Sequence, residues 1–166
     1  MASPPETAAF LKTVRLFKDF AEPELLALAS RLRERRLRKG QVLFREGDPG
    51  QEMYVVRRGV VVISKVVTGR VEHVLGREEA GSFFGEMSLF DHASRSATVS
   101  ADGDTALLVL DRDNLNLLIE ANPRAAAAFL HALVQVLIAR LRQSGDRVAE
   151  ATRWGLEATG LDLEPR

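Results

Sequence analysis

The stretch MYVVRRGVVVISKVV, residues 53–67, is the part of the sequence that decides the fold. It holds two runs of β-branched residues with Gly59 between them, and the run from Val60 is apolar at both parities. Such runs predict two strands joined at a glycine. A strand that is apolar on both sides is typical of a sheet covered on both faces.

The same pattern extends in both directions from this stretch. Nine of the twelve glycines lie between Gly40 and Gly103, and short β-branched runs separate them. These runs are VLF from Val42, VEHVL from Val71, ATVSA from Ala97 and ALLVL from Ala106. Short strands at this spacing predict a mainly β sandwich or barrel, which we place at residues 34–111.

A helical pattern precedes the β block. The stretch EPELLALASRLRERR from Glu22 repeats leucine at helical spacing, and we assign residues 1–33 to an N-terminal helical segment. The basic run RLRERRLRK, residues 31–39, indicates either a surface for nucleic acid or an acidic partner, or a helix end that leads into a solvated strand. The second interpretation is the simpler one.

Two further helices are predicted after the β block, over residues 112–152. DRDNLNLLIEA from Asp111 is typical of a short helix. Asn122 and Pro123 then supply an N-cap and a first helical residue for a long helix from Arg124 to about Ala151. Residues 153–166 are assigned to a tail.

The long helix carries two apolar stripes. The first steps by four and three, as in a coiled-coil seam: Leu130, Val134, Leu137, Leu141, Ser144, Val148, Ala151. The second consists of Phe129, Leu133 and Val136. One stripe can cover the β block and leave the other for the same helix of a second copy, which predicts a homodimer. The alternative is a helix buried on all sides within its own domain.

Composition excludes several classes of protein. The 166 residues are 46% hydrophobic and 28% charged, with 23 basic and 23 acidic residues. Nothing global therefore favours nucleic acid or a membrane. The absence of cysteine excludes disulfides and thiolate metal sites. His131, Gln135 and Arg140 interrupt the longest apolar stretch, so no membrane span is predicted. The N-terminus does not resemble a secretory signal, and a cytoplasmic location is expected.

The segment FFGEMSLFDHASRSATVSA, residues 83–101, carries the chemistry. Gly85 precedes a single-turn helix, whose first N–H groups attract an anion. Arg95 has a planar fork suited to two phosphate oxygens. Ser96 adds a hydroxyl donor, and Ala97 is small enough for a ligand to approach the backbone. Glu86 would repel a phosphate but can accept hydrogen bonds from sugar hydroxyls. Together these residues indicate a nucleotide whose phosphate and ribose lie close together.

This segment resembles the phosphate-binding cassette of cyclic nucleotide-binding domains, the family of the bacterial catabolite activator protein and of the regulatory subunits of cyclic AMP-dependent kinase. The stretch VLFREGDPGQEMYVVRRGVVVI, residues 42–63, is similar to the family's strands, and the resemblance spans residues 16–147. It implies a β-roll of the jelly-roll type (a double-stranded β-helix) with N-terminal helices and a long C-terminal helix. It also implies that Gly59 is a turn glycine.

The resemblance also implies roles for individual residues. Glu86 would bind the ribose 2′-hydroxyl and Arg95 the exocyclic phosphate oxygens. The resemblance assigns the remaining positions as follows: the backbone of Gly85, Met87, Ser88 and Leu89 to the phosphate, Ser96 and Ala97 to the cassette, and Ile63 and Leu75 to the walls around the base. Ser144 matches a hydroxyl residue that contacts the base from the long helix of the opposite subunit, and Arg140 matches a basic residue near the ligand.

The expected function is a stand-alone sensor that binds cyclic AMP or cyclic GMP and relays binding through its C-terminal helix to an unidentified downstream protein. Cyclic AMP is favoured over cyclic GMP, and cyclic dinucleotides remain an alternative. Sixteen residues follow Glu150, too few for a helix-turn-helix domain, so no DNA-binding domain is expected. The alternative is a helix-mediated dimerisation scaffold on a degenerate β-roll that binds no nucleotide.

Two other functions receive little support from the sequence. No serine–histidine–aspartate arrangement or nucleophile elbow indicates an enzyme. His73, His92 and His131 are isolated from one another in sequence, so no metal is expected. Trp154 is assigned to packing of the tail, to a lid over the base or to a partner interface.

Overall fold

The structure, a computed structural model, describes residues 2–69 and 71–159. The chain forms two compact units, Met1–Ala128 and Phe129–Arg166. Residues 160–166, which end the predicted tail, lie outside the described residues. The described residues contain the following strands: β1 (Arg33–Leu37), β2 (Val42–Phe44), β3 (Glu52–Arg58), β4 (Val60–Thr68), β5 (Val71–Glu79), β6 (Phe83–Phe84), β7 (Thr98–Ala101) and β8 (Thr105–Asp111).

Two four-stranded antiparallel sheets form the centre of the first unit. Their strand orders are β1-β8-β3-β6 and β2-β7-β4-β5. Alternate residues of both sheets meet in one buried core, as sheet packing requires: Leu37, Leu43, Tyr54, Val56, Val61, Phe84, Val99, Ala101, Leu107, Val109. The predicted β-roll with flanking helices is therefore confirmed.

Gly59 joins β3 to β4, as the sequence predicts. Its φ of +87° is in the left-handed region that favours glycine. A Cβ at this position would lie 2.6 Å from Thr105 Oγ1 and 2.7 Å from the Asp104 carbonyl oxygen. Glycine is required here both by the backbone conformation and by the close approach of β8.

The N-terminal helices are shorter than the sequence predicts. Helices α1 (Pro4–Thr13) and α2 (Glu22–Ala29) enclose a short 3-10 helix, Arg15–Phe17. Helix α2 ends before the basic run, and Arg33–Leu37 is strand β1, which pairs along its length with β8. Helix α2 therefore ends four residues before the boundary predicted at residue 33, and β1 begins within one residue of the predicted start of the β block.

Helices α3 (Arg112–Ala121) and α4 (Pro123–Ala158) follow the sheets. The carboxylate of Asp111 accepts a hydrogen bond from the backbone N–H of Asn114 at 2.9 Å, which caps α3. The side-chain oxygen of Asn122 accepts one from the N–H of Ala125 at 3.0 Å, so the predicted N-cap of the long helix is confirmed. Helix α4 continues to Ala158, past the boundary predicted at residue 152.

The second unit begins within α4, at Phe129. Phe129 and Leu133 are buried, whereas the larger part of the first stripe is exposed: Leu130, Val134, Leu141, Val148. Trp154 is 68% exposed. Helix α4 has the length and composition that would allow it to cross a membrane, and 28% of its most apolar window is buried in the structure. Core helices of soluble proteins can have the same length and composition, so these two features alone are weak evidence for a membrane span.

Candidate functional site

Gly85 sets the geometry at the start of the candidate site. Strand β6, just before it, pairs with β3 through Tyr54 and Val55. Gly85 has a φ of +76° and precedes the predicted single-turn helix, a 3-10 helix over Glu86–Leu89 that we call the cassette helix. A Cβ at Gly85 would lie 2.9 Å from Arg95 Nη1. This glycine therefore lets the backbone turn while the Arg95 side chain passes close beside it.

Arg95 is buried, with 5% of its surface exposed, and lies against the start of the cassette helix. Its Nη1 donates hydrogen bonds to the Glu52 carbonyl oxygen at 2.9 Å and to Ser88 Oγ at 3.0 Å. The carbonyl oxygen of Gly85 lies 3.4 Å from the same nitrogen. Strand β3 and the start of the cassette helix thus hold one guanidinium group between them.

Two aromatic rings cover the Arg95 guanidinium. Its central carbon lies 4.1 Å from the centroid of the Phe44 ring and 5.6 Å from that of Tyr54. Both distances suit a cation–π contact. Burial lowers the pKa of Arg95 from its ordinary value, and the neighbouring Tyr54 and Glu52 oppose that shift. The Nε atom of Arg95 is buried and has no hydrogen-bond partner.

The backbone of Arg95 is tied to the loop between β2 and β3. Its N–H donates to the Asp48 carbonyl oxygen at 2.8 Å, and its carbonyl oxygen accepts from the N–H of Gly47 at 2.9 Å. Gly50 lies in the same loop, and a Cβ there would be only 2.3 Å from Arg95 Nε. The loop between β2 and β3 therefore packs directly against Arg95.

The structure brings together part of the predicted site. Gly85, Ser88 and Arg95 are in direct contact, and Glu86 is buried at the start of the cassette helix. The remaining predicted cassette residues divide by burial: Leu89 and Ala97 are buried, whereas Met87 and Ser96 are exposed.

The predicted base walls differ in burial. Ile63 packs against the β core, whereas Leu75 is 39% exposed. Arg140 is half-buried and Ser144 is exposed; both lie on α4 in the second unit.

Among residues 2–69 and 71–159, no group of three or more His, Cys, Asp or Glu side chains is placed to hold a metal ion.

An open cavity of about 660 Å³ lies next to Arg95. Phe44, Tyr54 and the loop at residues 48–52 line it, together with Arg33 of β1. Glu86, Ile63 and Leu75 do not. Arg33 forms an ion pair with Glu52 at 2.7 Å, and the Tyr54 hydroxyl donates to the other oxygen of that carboxylate at 2.6 Å. Burial, with this carboxylate nearby, raises the pKa of Tyr54.

Residues 34–122 match the family model described as the cyclic nucleotide-binding domain. The chain belongs to this family. The predicted resemblance is confirmed.

Two relatives of this cyclic nucleotide-binding domain are longer proteins. The cyclic AMP receptor protein of Thermus thermophilus is 36% identical over 134 residues, which cover 81% of this chain and 60% of that protein. The cAMP-dependent protein kinase regulatory subunit of Dictyostelium discoideum is 34% identical over 66% of this chain and 34% of its own length. The chain thus spans less than two thirds of either relative.

A solved structure supports the same assignment. A cyclic nucleotide-binding domain from Methylobacillus flagellatus is 31% identical to this chain, with a TM-score of 0.78. The match covers 89% of this chain and 83% of that one.

Sequence reasoning missed several residues that hold Arg95 in this cyclic nucleotide-binding domain. Phe44 and Tyr54 were assigned only to strands, and Gly50 was counted only among the glycines between the strands. Glu52 contributes its backbone carbonyl, which carries no signal in the sequence. The hydroxyl of Ser88 was overlooked as well, since the resemblance assigned only its backbone to the phosphate.

Proposed function

We propose that this chain is a cyclic nucleotide sensor whose cassette binds the cyclic phosphate through Arg95. The observation that carries the proposal is the buried Nε of Arg95, which has no hydrogen-bond partner while Nη1 is fully engaged. Leaving a buried donor unsatisfied costs about 1–3 kcal/mol, and more for a charged group. A phosphate oxygen would remove that cost, because it would give Nε an anionic acceptor.

The other ligand contacts are proposed from the resemblance to the family. In the proposal, the backbone of Gly85 and Met87–Leu89 surrounds the phosphate, and Ala97 leaves room beside it. The buried carboxylate of Glu86 accepts hydrogen bonds from the ribose 2′-hydroxyl. Ile63 and Leu75 supply the apolar walls for the base.

Cyclic AMP is the ligand that we propose first. In the sequence, Ser96 is the side chain that could serve the amino group of a guanine base, and it is exposed. An exposed hydroxyl contributes less to selection than a buried one, because water competes for its hydrogen bonds. This argument favours cyclic AMP over cyclic GMP.

We also propose that α4 pairs with α4 of a second copy and that it relays ligand binding to a downstream protein. The exposed stripe of α4 presents Leu130, Val134, Leu141 and Val148, an apolar surface that a second helix would cover. Ser144 lies in the same stripe, and Arg140 one turn before it. In the proposal, Ser144 contacts the base bound by the other copy, and Arg140 lies near that ligand. A ligand relays a signal only if it favours one helix arrangement over another. A cytoplasmic location belongs to the same proposal.

Calorimetric titration with cyclic AMP and cyclic GMP tests the proposed function. Arg95→Lys keeps the charge but loses the fork, and Arg95→Ala loses both; each should lower affinity by roughly tenfold or more. The exposed Arg38→Ala is the matched control and should bind as the wild type does. Wild-type binding to neither nucleotide would instead favour the dimerisation scaffold. Undiminished binding by both Arg95 variants would show that the phosphate lies elsewhere.

A further inference from the structure

A second arginine, Arg112, contacts the cassette from the opposite end. Its Nη2 donates to the carbonyl oxygen of Ser88 at 2.8 Å and also to that of Asp91. Its Nη1 lies 2.9 Å from Nδ1 of His92, which can accept this hydrogen bond when the ring is neutral. Arg112 is the first residue of α3, so these contacts join α3 to the end of the cassette helix.

These contacts match what the end of a helix requires. The last carbonyl groups of a helix have no partner within it, and a cation near them is favourable. The cassette helix obtains both from a residue more than twenty positions away in sequence. The Arg112 side chain is half-buried, and its Nε is buried without a hydrogen-bond partner. Its guanidinium is therefore held in place rather than free in solvent.

Ser88 is the residue that both arginines share. Arg95 donates to its hydroxyl and Arg112 to its carbonyl oxygen. A second connection runs beside the first: the backbone N–H of Arg112 donates to the Gln51 carbonyl oxygen at 3.0 Å, next to the Glu52 carbonyl that Arg95 uses. The start of α3 is thus linked to the environment of Arg95 through two adjacent routes.

We infer that Arg112 is a positioning residue for nucleotide binding, an inference that rests on the proposed function. It fixes the backbone of Ser88 and Asp91, and so keeps the Ser88 hydroxyl and the cassette amides aligned with Arg95. Arg112 is also the first residue of α3. A shift of the cassette helix on binding therefore moves the start of α3 as well.

Two substitutions separate positioning from simple structural support. Arg112→Met keeps the length of the side chain but removes every donor, whereas Arg112→Lys keeps a charged donor for the two carbonyls. In calorimetry with cyclic AMP, Arg112→Met should lower affinity by about tenfold and Arg112→Lys should recover most of it. Equal affinity of Arg112→Met and the wild type, or no recovery by Arg112→Lys, would overturn the inference.

A double-mutant cycle with Ser88→Ala adds a readout that a purely structural role would not change. If Arg112 acts through Ser88, the affinity losses of Arg112→Met and Ser88→Ala overlap, and the double variant loses less than their product. Independent losses that multiply would contradict the route through Ser88. The exposed Arg38→Met serves as the control for removing an arginine elsewhere.

Hydrogen exchange of the ligand-free protein keeps the two proposals distinguishable. Arg112→Met should raise the exchange rate of amides in residues 86–91 about tenfold while exchange in β3 and β8 stays at the wild-type rate. Unchanged exchange in residues 86–91 would overturn the positioning role even if the wild type binds cyclic AMP. Faster exchange there, with no binding of any cyclic nucleotide by the wild type, would support the hold on the cassette and overturn only the proposed function.

Discussion

Replacing Gly50 with alanine should displace the Arg95 guanidinium without straining the backbone. Gly50 has no positive φ. A Cβ there would lie 2.3 Å from Nε, 2.5 Å from Cζ and 2.8 Å from Nη2 of Arg95. Ordinary contact begins at 3.4 Å, so the guanidinium must retreat by about 1 Å. The end of a flexible side chain can make this move, which keeps the cost to the fold small.

The cost to binding should be larger. A retreat of about 1 Å disturbs hydrogen bonds that now measure 2.9 Å to the Glu52 carbonyl and 3.0 Å to Ser88 Oγ. It also places a methyl group beside the unpartnered Nε, where we propose that a phosphate oxygen binds. One charge-assisted hydrogen bond contributes about 1.5–3 kcal/mol. Its loss corresponds to a fall in cyclic AMP affinity of about 10- to 150-fold.

Calorimetry on Gly50→Ala, with thermal unfolding beside it, measures both effects. Gly103→Ala is the matched control, because a Cβ there meets nothing within 4 Å and the backbone has no positive φ. We expect the control to bind like the wild type and both variants to unfold within a few degrees of it. Unchanged or tighter binding by Gly50→Ala would refute the reasoning, since the guanidinium would then not serve the phosphate from its present position.

Two further outcomes follow from the fold and from α4. Gly59→Ala should lower the free energy of unfolding by about 2–5 kcal/mol, because it combines a positive φ with clashes against the β8 backbone. A urea unfolding midpoint equal to that of Gly103→Ala would contradict this. Leu141 is 74% exposed, so Leu141→Glu should leave the fold intact but halve the mass of a dimer formed through the exposed stripe of α4. An unchanged dimeric mass in solution would exclude that stripe as the interface.

Local patterns predicted the elements that depend on local chemistry. Gly59 marked the junction of β3 and β4, and Asp111 and Asn122 marked the starts of two helices, because caps and turns have short-range requirements. Strand β1 lies where the β block was predicted to begin, but the sequence did not define its bounds, since its residues favour a helix locally and form a strand through pairing with β8. Helix α4 continues past Ala151 through Gly155, whose low helix propensity does not end it.

The candidate site divides in the same way. Gly85, Glu86 and Arg95 were predicted from residue type and spacing, and the structure places Arg95 beside Gly85. The partners of Arg95 were not, because the Glu52 carbonyl is a backbone atom and Phe44 lies fifty-one positions away in sequence. Contacts of this kind depend on how the two sheets pack. A single sequence does not encode that packing in any short pattern.

The two backbone hydrogen bonds between Arg95 and the loop at Gly47 and Asp48 limit how the candidate site could be moved into another protein. If residues 83–101 alone were placed in another barrel, Arg95 would lose its backbone hydrogen bonds to Gly47 and Asp48. A working graft would have to carry residues 47–52 as well, although they are separated from the cassette by three strands. For the same reason, diversification that aims at new ligands would have to vary both segments together.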